Sequence, residues 1–446
     1  MATKPPEPFL TRTWDYITDT QVWRSIFRHG MPSSNRNRVL VVMSNVFLHL
    51  HPVKIRKSGI RLKFTWCMGG LTFFLFLVET FTGLLLMFYY RPTVAYAYMD
   101  IVDLAEQVPL GIMREIHRWG AHAMVITVWL HMFRVFMTGS YKPPREFNWN
   151  VGVILLVLTL LLSFTGYLLP WDQLAYWAVT VGTNIAASIP WIGAEVRELL
   201  IGGRNIDQPT LIRFYALHVI FLPGLLGALL AYHMWRVRKD GGLARVDRLA
   251  AQRERLAGEP VKTKTYTLLG VARGTAPTIR AASLEARDLT VNAVPDLVRR
   301  AAVAVLGTFA LVSVLASLIR SPLEEAANPL VTPNPAKAPW YFLWLQEIVT
   351  DTTFTVAGFT VNGAFIGGVV LPGLILALLT AWPWLDRSPA EAAGAWFHAR
   401  RRRQNAVFLL AVLVVVLLTI VGTFLRGPSW QFYWPWQAWP EIPTRI

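Results

Sequence analysis

Met113-Arg114-Glu115-Ile116-His117-Arg118-Trp119-Gly120-Ala121-His122 opens the stretch that decides the fold, and His131 lies further along the same apolar run. A second run, 210–237, carries His218 and His233. A histidine inside a run of membrane-spanning length is expensive and marks function. His117 and His131 are 14 residues apart. On an α-helix that spacing is a rise of about 21 Å and a net rotation of about 40°. His218 and His233 are 15 apart, which gives about 22 Å and about 60°. Each run therefore shows two imidazoles on one face, at matching depths. His122, five residues past His117, falls about 140° around the helix and is read as a packing or hydrogen-bonding group.

Outward from these runs the same pattern recurs. Apolar runs lie near 64–90, 114–138, 150–171, 210–237, 298–320, 363–384 and 405–425. Each is close to the roughly 20 residues that cross a hydrocarbon core. Lipid offers no partner to unpaired backbone groups, so all are expected to be helices. Composition agrees: of 446 residues only 16% are charged and 54% are hydrophobic, where a soluble domain carries about a quarter charged. The class is an all-α integral membrane protein.

The net charge of +16 is not a nucleic-acid signature here, because the basic residues sit between the apolar runs. Residues 1–63 are basic (Lys54, Arg56, Lys57, Arg61, Lys63), as are 139–149 (Lys142, Arg145), 238–297 and Arg400 to Arg403. The loop 91–113 is acidic. Every second loop is thus basic, which puts the N-terminus inside and the C-terminus outside, in a bacterial plasma membrane. The polar first ~40 residues are not a signal peptide.

The expected organisation is an inner-face segment 1–63, a four-helix domain 64–237, a basic inner-face linker 238–297 and a three-helix domain 298–446. The linker is expected to hold a short surface helix near 247–259 and then irregular chain. The Trp-rich tail, Trp430 to Trp439, suits an interfacial anchor.

Neutral imidazole is an axial ligand of haem iron. The spans with the histidines run in the same direction, so His117 is expected to pair with His218 near the outer face, and His131 with His233 near the inner face. The bundle then holds two haem b groups. Gly69 and Gly83 on the first run, and Gly152 and Gly166 on the third, repeat the spacing of 14. Glycine admits close approach, and these pairs are expected to face the macrocycles. Arg114 and Arg118 flank His117 as candidate partners of haem propionates or lipid headgroups.

At this point a resemblance enters. The stretch Met113 to Gly120 resembles the first haem-ligand motif of cytochrome b, the core subunit of quinol–cytochrome c oxidoreductases. Gly166-Tyr167-Leu168-Leu169-Pro170-Trp171-Asp172-Gln173 and Ile189-Pro190-Trp191-Ile192-Gly193 resemble its third helix and the surface helices of its outer quinol site. The resemblance covers about 60–440 and implies a four-helix haem-binding bundle followed by three further transmembrane helices. The spacing of 15 and the three-helix C-terminal part are similar to the photosynthetic-type split cytochrome b, here with its two parts fused through 238–297.

Thr65-Trp66-Cys67-Met68-Gly69-Gly70 resembles the place where the split type attaches a haem c by one thioether bond, so Cys67, the lone cysteine, is a candidate attachment point. The family's Pro-Glu-Trp-Tyr, whose glutamate takes a proton from quinol, is replaced by Ala338-Pro339-Trp340-Tyr341. Trp340 and Tyr341 keep their places, and Pro339 cannot carry a proton. Glu347, seven residues and about two turns beyond Trp340, is the expected substitute acceptor.

The resemblance implies that quinol is oxidised near the outer face, among 172–193 and 334–347. Electrons leave to a Rieske-type iron–sulfur subunit, and through the two haems to an inner quinone site, with protons released outside. Menaquinone is a candidate quinone. Further expected partners are a c-type cytochrome subunit or soluble acceptor, the lipid membrane and a second copy of the chain. Two rivals stand beside it. A dihaem anchor serving a peripheral dehydrogenase needs the four histidines but no outer quinol site. A transporter with structural histidines would carry no haem.

Overall fold

A computed structural model describes residues 9–26, 34, 37, 40, 54–56, 59–244, 290–292 and 296–440. The expected surface helix near 247–259 lies outside the described residues. Among the described residues seven helices are long and apolar enough to cross a membrane: Met68–Leu86, Ile112–Met137, Glu146–Leu168, Gln208–Lys239, Val298–Leu318, Gly363–Leu385 and Ala399–Leu425. They are called the first to seventh spans below. The all-α membrane class is as expected, and the span bounds differ from the expected ones by a few residues. The end that bears His117 and His218 is called outer, following the charge pattern.

Contacts divide the chain differently from the linear order expected. One unit is 1–64 with 237–303, and the other is 65–236 with 304–446. In the first unit, Lys54–Arg56 pairs antiparallel with Thr290–Asn292, in the register Lys54↔Asn292. Arg300 also donates to the Ile60 carbonyl. The second unit holds the helical bundle and the C-terminal spans together.

Within that second unit three apolar clusters follow the bundle. Near the outer end Leu168, Trp171, Ile201, Leu211 and Phe214 pack together. Leu75, Met124, Leu155, Leu226 and Val312 fill the middle. Phe136, Tyr141, Trp149 and Phe408 fill the inner end. Other large apolar side chains, such as Phe81, Leu318 and Leu410, stand exposed on the spans, as lipid-facing positions do.

The outer end is built from segments between spans. Ala97–Gln107 is a helix where the sequence showed only an acidic loop. Gln173–Ala187 starts at Asp172, whose side chain accepts from the Ala175 N–H. The same carboxylate accepts from the Glu324 N–H, and Gln173 N–H donates to the Glu325 carbonyl. The expected outer-site segment 172–193 is thereby tied to the stretch that leads into the other expected segment, 334–347. Trp340–Asp351 follows as a short helix.

The fourth span is not uniform. Leu217–Phe221 is a π-helical turn, closed by the Leu222 N–H on the Leu217 carbonyl. Pro223 explains it: proline lacks an N–H and its ring clashes with the carbonyl four residues back. The π-turn widens the ladder by one residue there. Leu371-Pro372-Gly373 on the sixth span repeats the device behind a π-turn at Ile366–Val370.

Candidate functional site

The four histidines meet as two stacked pairs. The rings of His117 and His218 have centroids 6.2 Å apart at 79°. Those of His131 and His233 are 6.4 Å apart at 84°. The π-turn accounts for the unequal spacings of 14 and 15: one extra residue beside His218 brings the fourth span back into phase with the second.

Hydrogen bonds decide which nitrogen of the outer pair is free. The Thr82 hydroxyl donates its single proton to the Val78 carbonyl, so its contact with His117 Nδ1 at 2.9 Å is accepted from Nδ1–H. His218 Nδ1 lies 3.1 Å from the Leu162 carbonyl, which can only accept. Both rings therefore carry the proton on Nδ1 and keep a lone pair on Nε2. A metal ion sits about 2 Å from each imidazole nitrogen and each nitrogen about 1.1 Å from its ring centre, so two ligands of one ion stand about 6.2 Å apart. The outer pair fits a bis-imidazole haem. At the inner pair His131 Nδ1 is buried without a hydrogen bond, His233 faces the backbone of Asn148, and the separation fits equally.

The glycines prove to face the ligands themselves. A Cβ at Gly166 would lie 2.5 Å from His218 Cε1, at Gly69 2.8 Å from His131 Cε1, and at Gly83 3.3 Å from His117 Cε1. At Gly152 the distance to His233 is an ordinary 3.6 Å. The expected contact with the macrocycles thus becomes a contact with the imidazoles: the missing side chains let the rings approach the first and third spans.

A cavity of about 250 Å³ opens at the outer pair, lined among others by Glu79, His117, Arg118, His122, His218 and Tyr341. Arg114 lines it too, but its guanidinium is bound to Glu115 and to the carbonyls of Ser321 and Pro322. Arg118 differs: it lies over the Tyr167 ring, and its Nε is buried and unpaired. Of the two arginines, Arg118 is the one left to meet an anion.

Tyr341 is buried, and burial pushes its phenol up to about 12. The Trp340 indole N–H donates to His122 Nδ1 at 3.1 Å, the hydrogen-bonding role expected of His122. Glu347 is not brought to this cavity. It is fully buried and takes Arg426 Nε at 3.1 Å on both oxygens and Nη2 at 2.9 Å on Oε2. Two turns put Glu347 and Trp340 on one helix, but Trp340 is exposed and Glu347 is turned to the last span.

Cys67 caps the first span beside Gly69, in a left-handed backbone conformation with φ 56°. Trp66 before it stacks on Phe133 and packs tilted against Trp396. The cysteine is at the inner end, half-buried and free.

Two groups escaped the sequence reading. Glu79 is the one Asp, Glu, Lys, Arg or His between Lys63 and Arg91, a signal legible in principle. Its Oε2 stands 3.3 Å from His117 Nδ1. At the inner end Lys142 and Arg401, read there as topology charges, are buried around Asp386.

The comparisons with known proteins agree with this geometry. The family described as "Cytochrome b/b6/petB" matches residues 54–241, and "Cytochrome b(C-terminal)/b6/petD" matches 326–435. Cytochrome b6 of Synechococcus elongatus is 45% identical over 177 residues, 40% of this chain and 82% of that protein. Cytochrome b6 of Gracilaria tenuistipitata var. liui is 46% identical over the same length, with the same coverage of both chains. A solved structure titled "Hyperthermophilic respiratory Complex III" aligns with TM-score 0.65 and 25% identity, over 92% of this chain and 91% of that one. The chain belongs to the cytochrome b/b6 family, with the b6-like and petD-like parts fused in one polypeptide.

Proposed function

We propose that this cytochrome b subunit oxidises quinol near its outer end and serves a quinone at its inner end, with protons released outside and taken up inside. The observation that carries the reading is the stack of two histidine pairs, 6.2 and 6.4 Å between ring centres, with Nε2 free on the outer pair. His117 with His218, and His131 with His233, would each hold one haem b, which supplies one-electron carriage between the two quinone sites.

The chain's own residues do the rest. Thr82 and the Leu162 carbonyl hold the outer ligands in one tautomer. Asp172 and Gln173 fasten the segments that wall the outer site. Tyr341 stays a neutral phenol and offers a donor to a quinol oxygen. Trp340 orients His122. Glu347, held by Arg426, keeps Trp340–Asp351 against the seventh span and does not meet quinol. The electron acceptors in this reading are a Rieske-type iron–sulfur subunit and, beyond it, a c-type cytochrome. A homodimer and an inner-face N-terminus complete the arrangement.

Cys67 is proposed as the thioether attachment of a haem c, supported by its position at the inner end and by Gly70, which has open space within 4 Å. A reduced-minus-oxidised pyridine haemochrome spectrum of the purified chain, with haem counted per polypeptide, tests both assignments. Two b and one c haem are expected. Two b haems alone would remove the Cys67 attachment, and none would remove the reading as a whole.

A further inference from the structure

The two histidine pairs differ in what lies behind the ligands. At the inner pair, His131 Nδ1 has no hydrogen-bond partner, and His233 faces only the backbone of Asn148. At the outer pair, His117 Nδ1 faces the Thr82 hydroxyl at 2.9 Å and the Glu79 backbone, and the Glu79 carboxyl stands beside it at 3.3 Å. Glu79 is an intramembrane acid with only 14% of its side chain exposed. Its other oxygen, Oε1, is buried and unpaired. It rests against Gly120, where a methyl group would collide with Oε1. Neither the helix nor the packing needs an acid there, since an apolar side chain would fill the same space without leaving an oxygen unsatisfied. An unpaired polar atom kept inside a membrane bundle calls for a function.

We propose that Glu79 is a positioning residue that lowers the redox potential of the outer haem relative to the inner one. An acceptor oxygen beside Nδ1–H draws the proton away from the ring and makes Nε2 more basic. A more basic imidazole stabilises ferric iron more than ferrous, so the midpoint potential falls. Gly120 is the complement: its missing side chain gives Oε1 the room that keeps Oε2 on His117. Among the described residues no Asp or Glu stands at Nδ1 of His131, His218 or His233, so the effect belongs to one ligand of one pair. The inference deepens the dihaem reading above and rests on it.

The test is a potentiometric titration of the holo-complex, following both haem absorbance bands, in wild type, Glu79→Gln and Glu79→Leu. Low-spin g values by electron paramagnetic resonance provide a second readout of ligand basicity. Glu79→Leu is expected to raise the outer midpoint by about 59 mV, a tenfold change in the one-electron equilibrium constant. Glu79→Gln keeps an oxygen and is expected to raise it less. The inner midpoint is expected to stay where it is. Equal outer midpoints in all three proteins would overturn the proposal, as would an equal shift of both haems. Loss of the outer haem in Glu79→Gln would overturn it too, since Glu79 would then be a folding residue. A wild-type chain with no outer haem would instead remove the dihaem reading on which the proposal stands.

Discussion

Beside the outer cavity and at the inner end of the second unit, charge is buried in different ways. At the inner end Asp386 accepts from the Tyr141 hydroxyl at 2.7 Å and from Gln404 at 2.9 Å. Lys142 Nζ stands 3.2 Å from the same carboxylate and donates to the carbonyls of Asp386 and Ser388. Arg401 reaches the carbonyls of Phe136 and Met137 and the Tyr141 hydroxyl. These bonds bolt the loop after the second span to the loop before the seventh. At the outer end Glu79 Oε1 and Arg118 Nε are buried with no partner, beside a cavity. Paired buried charges define a structure, because breaking one strands the other. Unpaired ones beside a cavity point to function rather than to structure.

This contrast can be broken at four places. Asp386→Ala would leave Lys142 and Arg401 buried without their anion, at a cost of about 3–5 kcal/mol. Thermal unfolding of the purified complex measures it, and an unchanged midpoint would mean the inner bolt does not hold. The same carboxylate sets a pH dependence. Burial alone would raise its pKa, but hydrogen bonds from Ser388 and Tyr141 and the charge of Lys142 hold it at about 2. A folded-state value below the unfolded one contributes stability at neutral pH, and that contribution is lost as pH falls from about 4 through about 2.

Gly166→Ala comes next. Its Cβ would press on His218 at 2.5 Å, an overpacking of about 1–3 kcal/mol. We expect the outer haem to be lost or shifted while the inner one stays. Gly152→Ala, with 3.6 Å to His233, is expected to leave both bands unchanged. If both variants behaved alike in the spectrum, the assignment of these glycines to the imidazoles would fail.

Glu347→Gln should cost about 2 kcal/mol, because Arg426 keeps Asp351 and the Trp430 carbonyl as other partners. In a turnover assay, quinol oxidation per folded complex should stay within a few-fold of wild type. A loss well beyond tenfold, with stability intact, would return Glu347 to the proton-accepting role that the sequence motif implied. The smallest effect is expected from Trp340→Phe, which removes one hydrogen bond to His122 worth about 1 kcal/mol. It should alter KM for quinol more than kcat, whereas an unchanged KM would place His122 outside the outer site.

Much of this was legible in the residues. Hydropathy located the seven spans seen among the described residues, and the spacings of 14 and 15 selected the four histidines and their pairing. Motif reading singled out Trp340, Tyr341 and the segment 170–193 for the proposed outer site. What stayed hidden has a common cause. Glu347 read as a free acid because Arg426 is 79 residues away. Lys142 read as a topology charge because Asp386 is 244 residues away. The acidic loop after the first span hid the Ala97–Gln107 helix, whose apolar face is short.

By itself, then, the sequence determined what depends on neighbours within a few turns: membrane class, span positions and which imidazoles share a face. Those properties follow from local composition and helical geometry. Tertiary structure alone decided which buried charges are paired, which glycine meets which imidazole, and that Glu79 stands behind His117. A charge's role in low-dielectric surroundings is set by the group opposite it, and here that group comes from a different helix.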